Sequence, residues 1–203
     1  MLAVHDTART ARVSTKTKML ISASEVLRER GAAGLTIDDV LSRSGAPRGS
    51  VYHHFPAGRN QILAEALRYA GDTITAKIEA AADKGGMELL HQFVEFWEQL
   101  LRDTDFTAGC PVVAAAIGSA PDEQQLTTTA GEIFRGWREA LTRSFVSEGF
   151  PAREASSLAT TSIAAVEGAV VLCRATRTTE PLREVAEQIE FLVRAREFVT
   201  RRS

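Results

Sequence analysis

Apolar positions along the 203-residue chain recur at intervals of three and four with polar residues between them, the spacing of helices that bury one face. Leu20, Ala23, Val26 and Leu27 mark a helix over about 15–30, with Gly31 just past its end. Ile37, Val40, Leu41 and Ser44 mark a short second helix, and Val51 and Phe55 pin the inner face of a third, from Arg48 to His54. A long fourth helix runs from near Arg59 to about Ala82 through Ile62, Leu63, Ala66, Leu67 and Ile74, and Gly85-Gly86 closes it. The remainder is also helical by pattern. Residues 87–103 carry Leu89, Phe93, Phe96, Trp97 and Leu100, and Gly109-Cys110-Pro111 opens a short helix over 111–119. Pro121-Asp122 begins another that reaches about Glu148, through Leu126, Ala130, Ile133, Phe134, Trp137 and Leu141. Gly149-Phe-Pro151 breaks it. The cleanest period lies in 153–175, and Pro181 opens a last helix through Leu182, Val185, Ala186, Ile189 and Val193. No stretch alternates in the manner of a strand with hairpin punctuation. The expected fold is all-α, with nine helices.

The polar positions of 36–55 carry the chemistry. Thr36 is an N-cap with Asp39 three residues on. Gly45 supplies a left-handed helix end, and Pro47 restarts the chain where a missing N–H does no harm. With Val51 and Phe55 turned inward, Arg48, Gly49, Ser50, Tyr52, His53 and His54 remain outside. One cation, several hydrogen-bonding side chains and a glycine that lets the backbone approach a surface are what a DNA major groove requires. Arg48 suits a bidentate contact to guanine or a phosphate clamp. His54 serves the same surface or packs at the helix end. Thr36 offers a backbone N–H at a helix N-terminus to a phosphate, and Arg59, opening the fourth helix beside the same groove, offers its guanidinium.

Charge sharpens this reading. Residues 1–70 hold ten Lys and Arg against six Asp and Glu, whereas the remainder holds fourteen against twenty. A basic head on an acidic body fits nucleic-acid binding confined to the head.

Residues 15–63 resemble the N-terminal domain of the TetR/AcrR transcriptional regulators. The resemblance rests on Thr36, Gly45, the Gly49-Ser50-Val51-Tyr52 run, His54-Phe55-Pro56 and the basic Arg59. It implies a three-helix helix-turn-helix head (15–60) behind a disordered basic arm (1–14, with Arg9 and Arg12), and a six-helix body (61–203) that binds a ligand and dimerises. It also implies that Tyr52 bonds a backbone phosphate and that His53 reads bases. Pro47 departs from the pattern, since many members carry Ser there, and the side-chain cap of the recognition helix is absent. Gly109-Cys110-Pro111 and the Tyr52–Pro56 run resemble one subgroup, the LmrA/YxaF-like regulators.

In the body, Phe93, Phe96, Trp97, Phe134 and Trp137, with Cys110, Val113, Ala114 and Ile117 of the short helix, are candidates to line a cavity for an apolar or aromatic effector, and equally for plain core. Cys110 stands at a helix N-terminus, where the dipole favours thiolate, or serves as a small apolar filler. Leu158, Ser162, Val166, Ala169 and Val170, with Ile189 and Val193, form a stripe suited to pairing with a second copy or to packing within one chain. A homodimer is expected because one short recognition helix reads few bases.

Two distant cysteines provide neither a disulfide framework nor a zinc site. The four histidines show no metal-ligand spacing, and no cofactor motif or catalytic constellation stands out. No apolar run approaches the roughly 18 residues of a membrane span, and no secretory signal is present, so a cytoplasmic protein with no membrane partner is expected. The expectation is a homodimeric regulator, a repressor released from a palindromic double-stranded DNA operator by a small effector. The rivals are a small-molecule-binding helical enzyme and a protein-interaction module without DNA binding.

Overall fold

The computed structural model describes residues 13–82, 84–118 and 124–200, side chains of 197–200 excepted. Arg9 and Arg12 of the arm, and Pro121-Asp122 read as a helix start, lie outside them. Among the described residues the chain is all helix: α1 Thr15–Arg30, α2 Ile37–Ser44, α3 Arg48–His54, α4 Arg59–Ala82, α5 Gly86–Asp103, α6 Pro111–Gly118, α7 Gln124–Ser147, α8 Ala152–Thr176 and α9 Glu180–Thr200.

Local chemistry sets the first three helices. Ser14 Oγ caps α1 by accepting from the Thr17 N–H at 3.1 Å. Thr36 Oγ1 accepts from the Asp39 N–H at 3.1 Å and donates to the Asp39 carboxylate at 2.5 Å, so both residues satisfy the first turn of α2. Gly45 ends α2 at φ 65°, ψ 18°, and Pro47 precedes α3 without a side-chain cap. Met19, Leu27, Leu35, Val40, Val51, Phe55, Ile62 and Leu63 are fully buried together and hold the head as one core.

The 24-residue α4 spans roughly 36 Å at 1.5 Å per residue, from the head core into the body. It lies close against α7. A β-carbon on Gly71 would sit 2.5 Å from Ile133 Cδ1, so a larger residue would force the helices apart. Trp137 Nε1 donates to Thr75 Oγ1 at 2.9 Å, and Ser144 Oγ donates to the Ala82 carbonyl at 3.1 Å. Around this pair, α6 packs on α1, α4 and α7, α8 lies between α7 and α9, and α5 meets α4 and α9.

A second joint ties head to body. The Gly109 N–H donates to the Arg28 carbonyl at 3.0 Å. Arg174 of α8 donates to the Thr107 carbonyl at 2.7 Å and to the Glu29 carbonyl at 3.3 Å. Gly109 leaves room for this clamp, since a β-carbon there would lie 2.7 Å from the Arg174 guanidinium. The adjoining turn holds Asp105 and Phe106 at φ 49° and 58°, conformations that cost non-glycine residues about 1 kcal/mol or more each. Arg177 supports it, donating to the Asp105 carboxylate at 2.6 Å.

By length and composition α8 is apolar enough to cross a membrane. Its packing between α7 and α9 gives the reason for that character: Ala155, Ala159, Val166, Ala169, Val170 and Cys173 are buried in the core.

Candidate nucleic-acid interface and effector cavity

The outward residues of α3 meet solvent. Arg48, Gly49, Tyr52 and His53 are exposed, while Ser50 and His54 are half-buried. Tyr52 leaves 72% of its surface open, a large apolar area for a ring anchored one residue after the buried Val51. Gly49 has nothing within 4 Å of the place a β-carbon would take, so its backbone is bare to an approaching surface. Thr36, Arg48, Tyr52 and Arg59 border one surface depression between α2, α3 and the start of α4. The Arg48 guanidinium faces the Asp38 carboxylate at 3.4 Å. Both side chains are exposed, so the pair is worth little and opens readily.

Other cations of the head are engaged within it. Arg43 holds Glu29 through two hydrogen bonds of 2.9 and 2.6 Å, Arg30 meets Asp39 at 3.3 Å, and Lys16 meets Glu65 at 2.7 Å. The Arg43 bond holds the Glu29 carboxyl below its usual range. Arg59 differs from its expected place as a phosphate ligand. Its Nε and Nη2 donate to the carbonyls of Leu35 and Ala32 at 2.9 and 2.6 Å, which fastens the α1–α2 turn to α4. The long side chain reaches back to this turn, where the Ala32 carbonyl also accepts from the Leu35 N–H at 3.1 Å.

The body contains an apolar cavity between α4, α5, α7, α8 and α9. Leu89, Leu90, Phe93, Trp137, Leu141 and Phe145 form much of its wall, and Met87 and Ile163 are among its less buried residues. Centres of water-sized spheres fit over about 30 Å³, room for one or two waters, so any larger occupant must spread the walls. Among the described wall residues, Ser162 and Glu167 of α8 carry a hydroxyl and a carboxyl, and are 5% and 7% exposed. Neither Ser162 Oγ nor either carboxylate oxygen of Glu167 has a hydrogen-bond partner among the described residues. Burial raises the Glu167 carboxyl from its ordinary 4.5 to about 7, with the Cys110 thiol partly opposing the rise.

Of the residues expected to line a cavity, Phe93 and Trp137 do so. Trp97 is fully buried beside them, edge-on to Phe93 at 6.1 Å. Phe96 turns towards α4, under Lys77 at 5.1 Å, and Phe134 packs edge-on against Trp137 at 5.2 Å. The α6 residues lie away from this cavity because α6 packs at the junction with the head. Val113 and Ala114 are half-buried there, and Ile117 is 81% exposed. Cys110 is buried with its thiol pushed far above its usual range, chiefly by desolvation, so it is no ready thiolate.

The stripe assigned to a dimer is largely internal. Ser162, Val166, Ile189 and Val193 face the cavity, Ala169 and Val170 are buried within the chain, and Leu158 is half-buried. Helical spacing marks a buried face without saying whose surface buries it. Among the described residues, the large apolar side chains left open on α8 and α9 are Val171, Leu172, Phe191 and Leu192, with Phe191 64% exposed. Ala164, Gly168 and Ala175 are exposed on the same α8. Glu167 escaped the sequence reading altogether. Its signal was a single acid in the otherwise uncharged run from Ala155 to Cys173.

Comparison with known proteins matches this geometry. Residues 20–66 match the model of the bacterial regulatory proteins of the tetR family, and residues 86–188 that of the LmrA/YxaF-like transcriptional regulator C-terminal domain. The HTH-type transcriptional regulator Rv0196 of Mycobacterium tuberculosis is 41% identical over 184 residues, covering 88% of this chain and 93% of its own length. A TetR regulator from Legionella pneumophila shares the fold with a TM-score of 0.77 at 20% identity, over 88% of this chain and 97% of that one. The regulator CifR, solved with a 26-base-pair double-strand operator DNA, does so at 0.69 and 22% identity, over 88% and 94%. These relatives are transcriptional regulators, not enzymes. The chain therefore belongs to the TetR family of DNA-binding transcriptional regulators, with a body of the LmrA/YxaF-like kind.

Proposed function

We propose that the chain is a homodimeric cytoplasmic repressor, with a DNA-binding head at 15–60 and a body at 61–203 that takes up a small apolar or aromatic effector and then releases a palindromic operator. The observation that carries the proposal is the outer face of α3. An arginine, a bare glycine backbone and a tyrosine with 72% of its surface open stand side by side there, exposed among the described residues. Arg48 and His53 contact base edges or phosphates, Tyr52 and the Thr36 backbone N–H hold phosphates, and Ser50 and His54 complete the surface.

Dimerisation through the open face of α8 and α9 sets two heads side by side, and two heads read two half-sites. The route from effector to head runs along two connections. One is α4, zipped to α7 by Trp137 and Ser144. The other is α8, on which Arg174 stands two turns beyond Glu167 and grips the carbonyl of Glu29 at the end of α1. An occupant that spreads the cavity walls shifts both, and it moves the equilibrium only as far as it prefers the DNA-incompetent arrangement.

The test is fluorescence anisotropy with duplex DNA from upstream of the chain's own gene, at several salt concentrations. Binding that falls steeply as salt rises, and that weakens in Arg48→Ala and Tyr52→Phe while the helical circular dichroism is kept, supports the reading. Unchanged affinity in both variants overturns the assignment of the face.

A further inference from the structure

We propose that the effector site of the body selects cations: its occupant is a primary amine on an apolar, preferably aromatic frame, with the ammonium group on Glu167 and the frame against Phe93 and Trp137. The proposal deepens the reading of the cavity as an effector site and rests on it.

A carboxyl group nine-tenths buried is ordinarily paired or hydrogen-bonded. Here both oxygens lack a partner among the described residues, and so does Ser162 Oγ, five residues earlier on α8. No lysine, arginine or histidine is among the described residues of the cavity wall. The Cys110 thiol, just before α6, approaches Glu167, but a thiol is a weak donor and completes no hydrogen bond of good geometry to it. The polar equipment of an otherwise apolar chamber thus consists of three acceptor oxygens and one negative charge in waiting.

A primary ammonium supplies the complement. It carries three N–H donors and a single positive charge, so both carboxylate oxygens have a donor and the charge has its counter-ion. A neutral alcohol brings one donor and leaves a desolvated charge uncompensated. An anion meets the carboxylate with like charge. The walls dictate the rest of the molecule: Phe93 and Trp137 present aromatic surface to a flat frame, and the flexible Met87 side chain at the less buried side gives way as the frame enters.

Three probes of one shape separate these possibilities: 1-naphthylmethylamine, 1-naphthylmethanol and 1-naphthoate, titrated calorimetrically into the full-length protein without DNA at pH 7.5. The expected result is amine binding at least about ten-fold tighter than the alcohol or the acid, the scale of one charge-assisted hydrogen bond. In Glu167→Gln the amine should fall to the level of the alcohol, while the alcohol changes by no more than about three-fold. Alcohol binding equal to the amine in the wild-type protein overturns the proposal. So does an amine preference that survives Glu167→Gln, or the absence of amine binding at millimolar concentration. The wild-type comparison needs no variant to fold. Because the titration involves no operator, loss of the DNA-binding reading leaves its outcome intact, and a failed titration leaves operator binding intact.

Discussion

Glu167→Gln should change stability in a way that depends on pH, and the structure sets the size. Burial raises the folded-state carboxyl from its ordinary 4.5 to about 7. Below 4.5 the group is neutral whether the chain is folded or not, and its burial carries no charge penalty. As pH rises through 4.5 the unfolded chain releases the proton first, and the folded state is disfavoured progressively until it ionises as well, near 7. At about 1.4 kcal/mol for each pH unit, the wild-type protein loses about 3 kcal/mol across this window. Glutamine has no proton to lose. Its amide leaves unpaired groups in the cavity, which costs about 1–3 kcal/mol, but equally at every pH. The stability difference, variant minus wild type, should therefore rise by about 3 kcal/mol between pH 4.5 and pH 8. Urea denaturation followed by circular dichroism, at one fixed protomer concentration so that any dimer contributes equally, gives this difference directly. A difference that stays flat within about 0.5 kcal/mol would refute the reasoning, since it would mean that Glu167 is hydrated or paired in solution.

Three further outcomes follow from the same contacts. Gly49→Ala should leave the fold intact or slightly more stable, because its β-carbon meets nothing within the protein and alanine is the better helix former by up to about 1 kcal/mol. Its operator affinity should fall, as a titration against labelled duplex would reveal. Arg59→Ala should destabilise the protein by about 2 kcal/mol in urea by removing its bonds to the carbonyl of Leu35 and to that of Ala32, which keeps the Leu35 N–H, the scale for bonds to a charged donor. Unchanged stability with uniformly weaker DNA binding would instead restore its role as a phosphate ligand. Leu172→Asp with Phe191→Asp places charge on the open face of α8 and α9 and should yield a folded monomer by light scattering, whereas a persistent dimer would move the interface elsewhere.

The head was legible because its determinants are local. Thr36, Gly45 and Pro47 each act within one turn of their own position, and Val51 and Phe55 left a single side of α3 free. The place of Arg59 was not legible, because its reach of several ångströms lets it serve either a phosphate or the carbonyls behind it, and nothing in its neighbours decides between them. The body was legible as helices but not as faces. α8 has two apolar sides, Val166/Val170 and Val171/Leu172, and periodicity weighs them alike. Which side meets α7 depends on residues more than twenty positions away, and so does the turn of Phe96 from the cavity towards Lys77. Glu167 was visible only as a charge out of place. Its meaning needed the burial that the fold supplies.

The central claim, that paired α3 helices read DNA, is tested most directly by selection from random-sequence duplexes with the purified protein. The account predicts enrichment of a two-fold symmetric motif whose half-sites lie about one helical turn apart, bound more weakly by Arg48→Ala by about 1–3 kcal/mol per half-site and more weakly still as salt rises. No enriched motif, or a motif that Arg48→Ala and Tyr52→Phe bind as tightly as the wild-type protein, would contradict it.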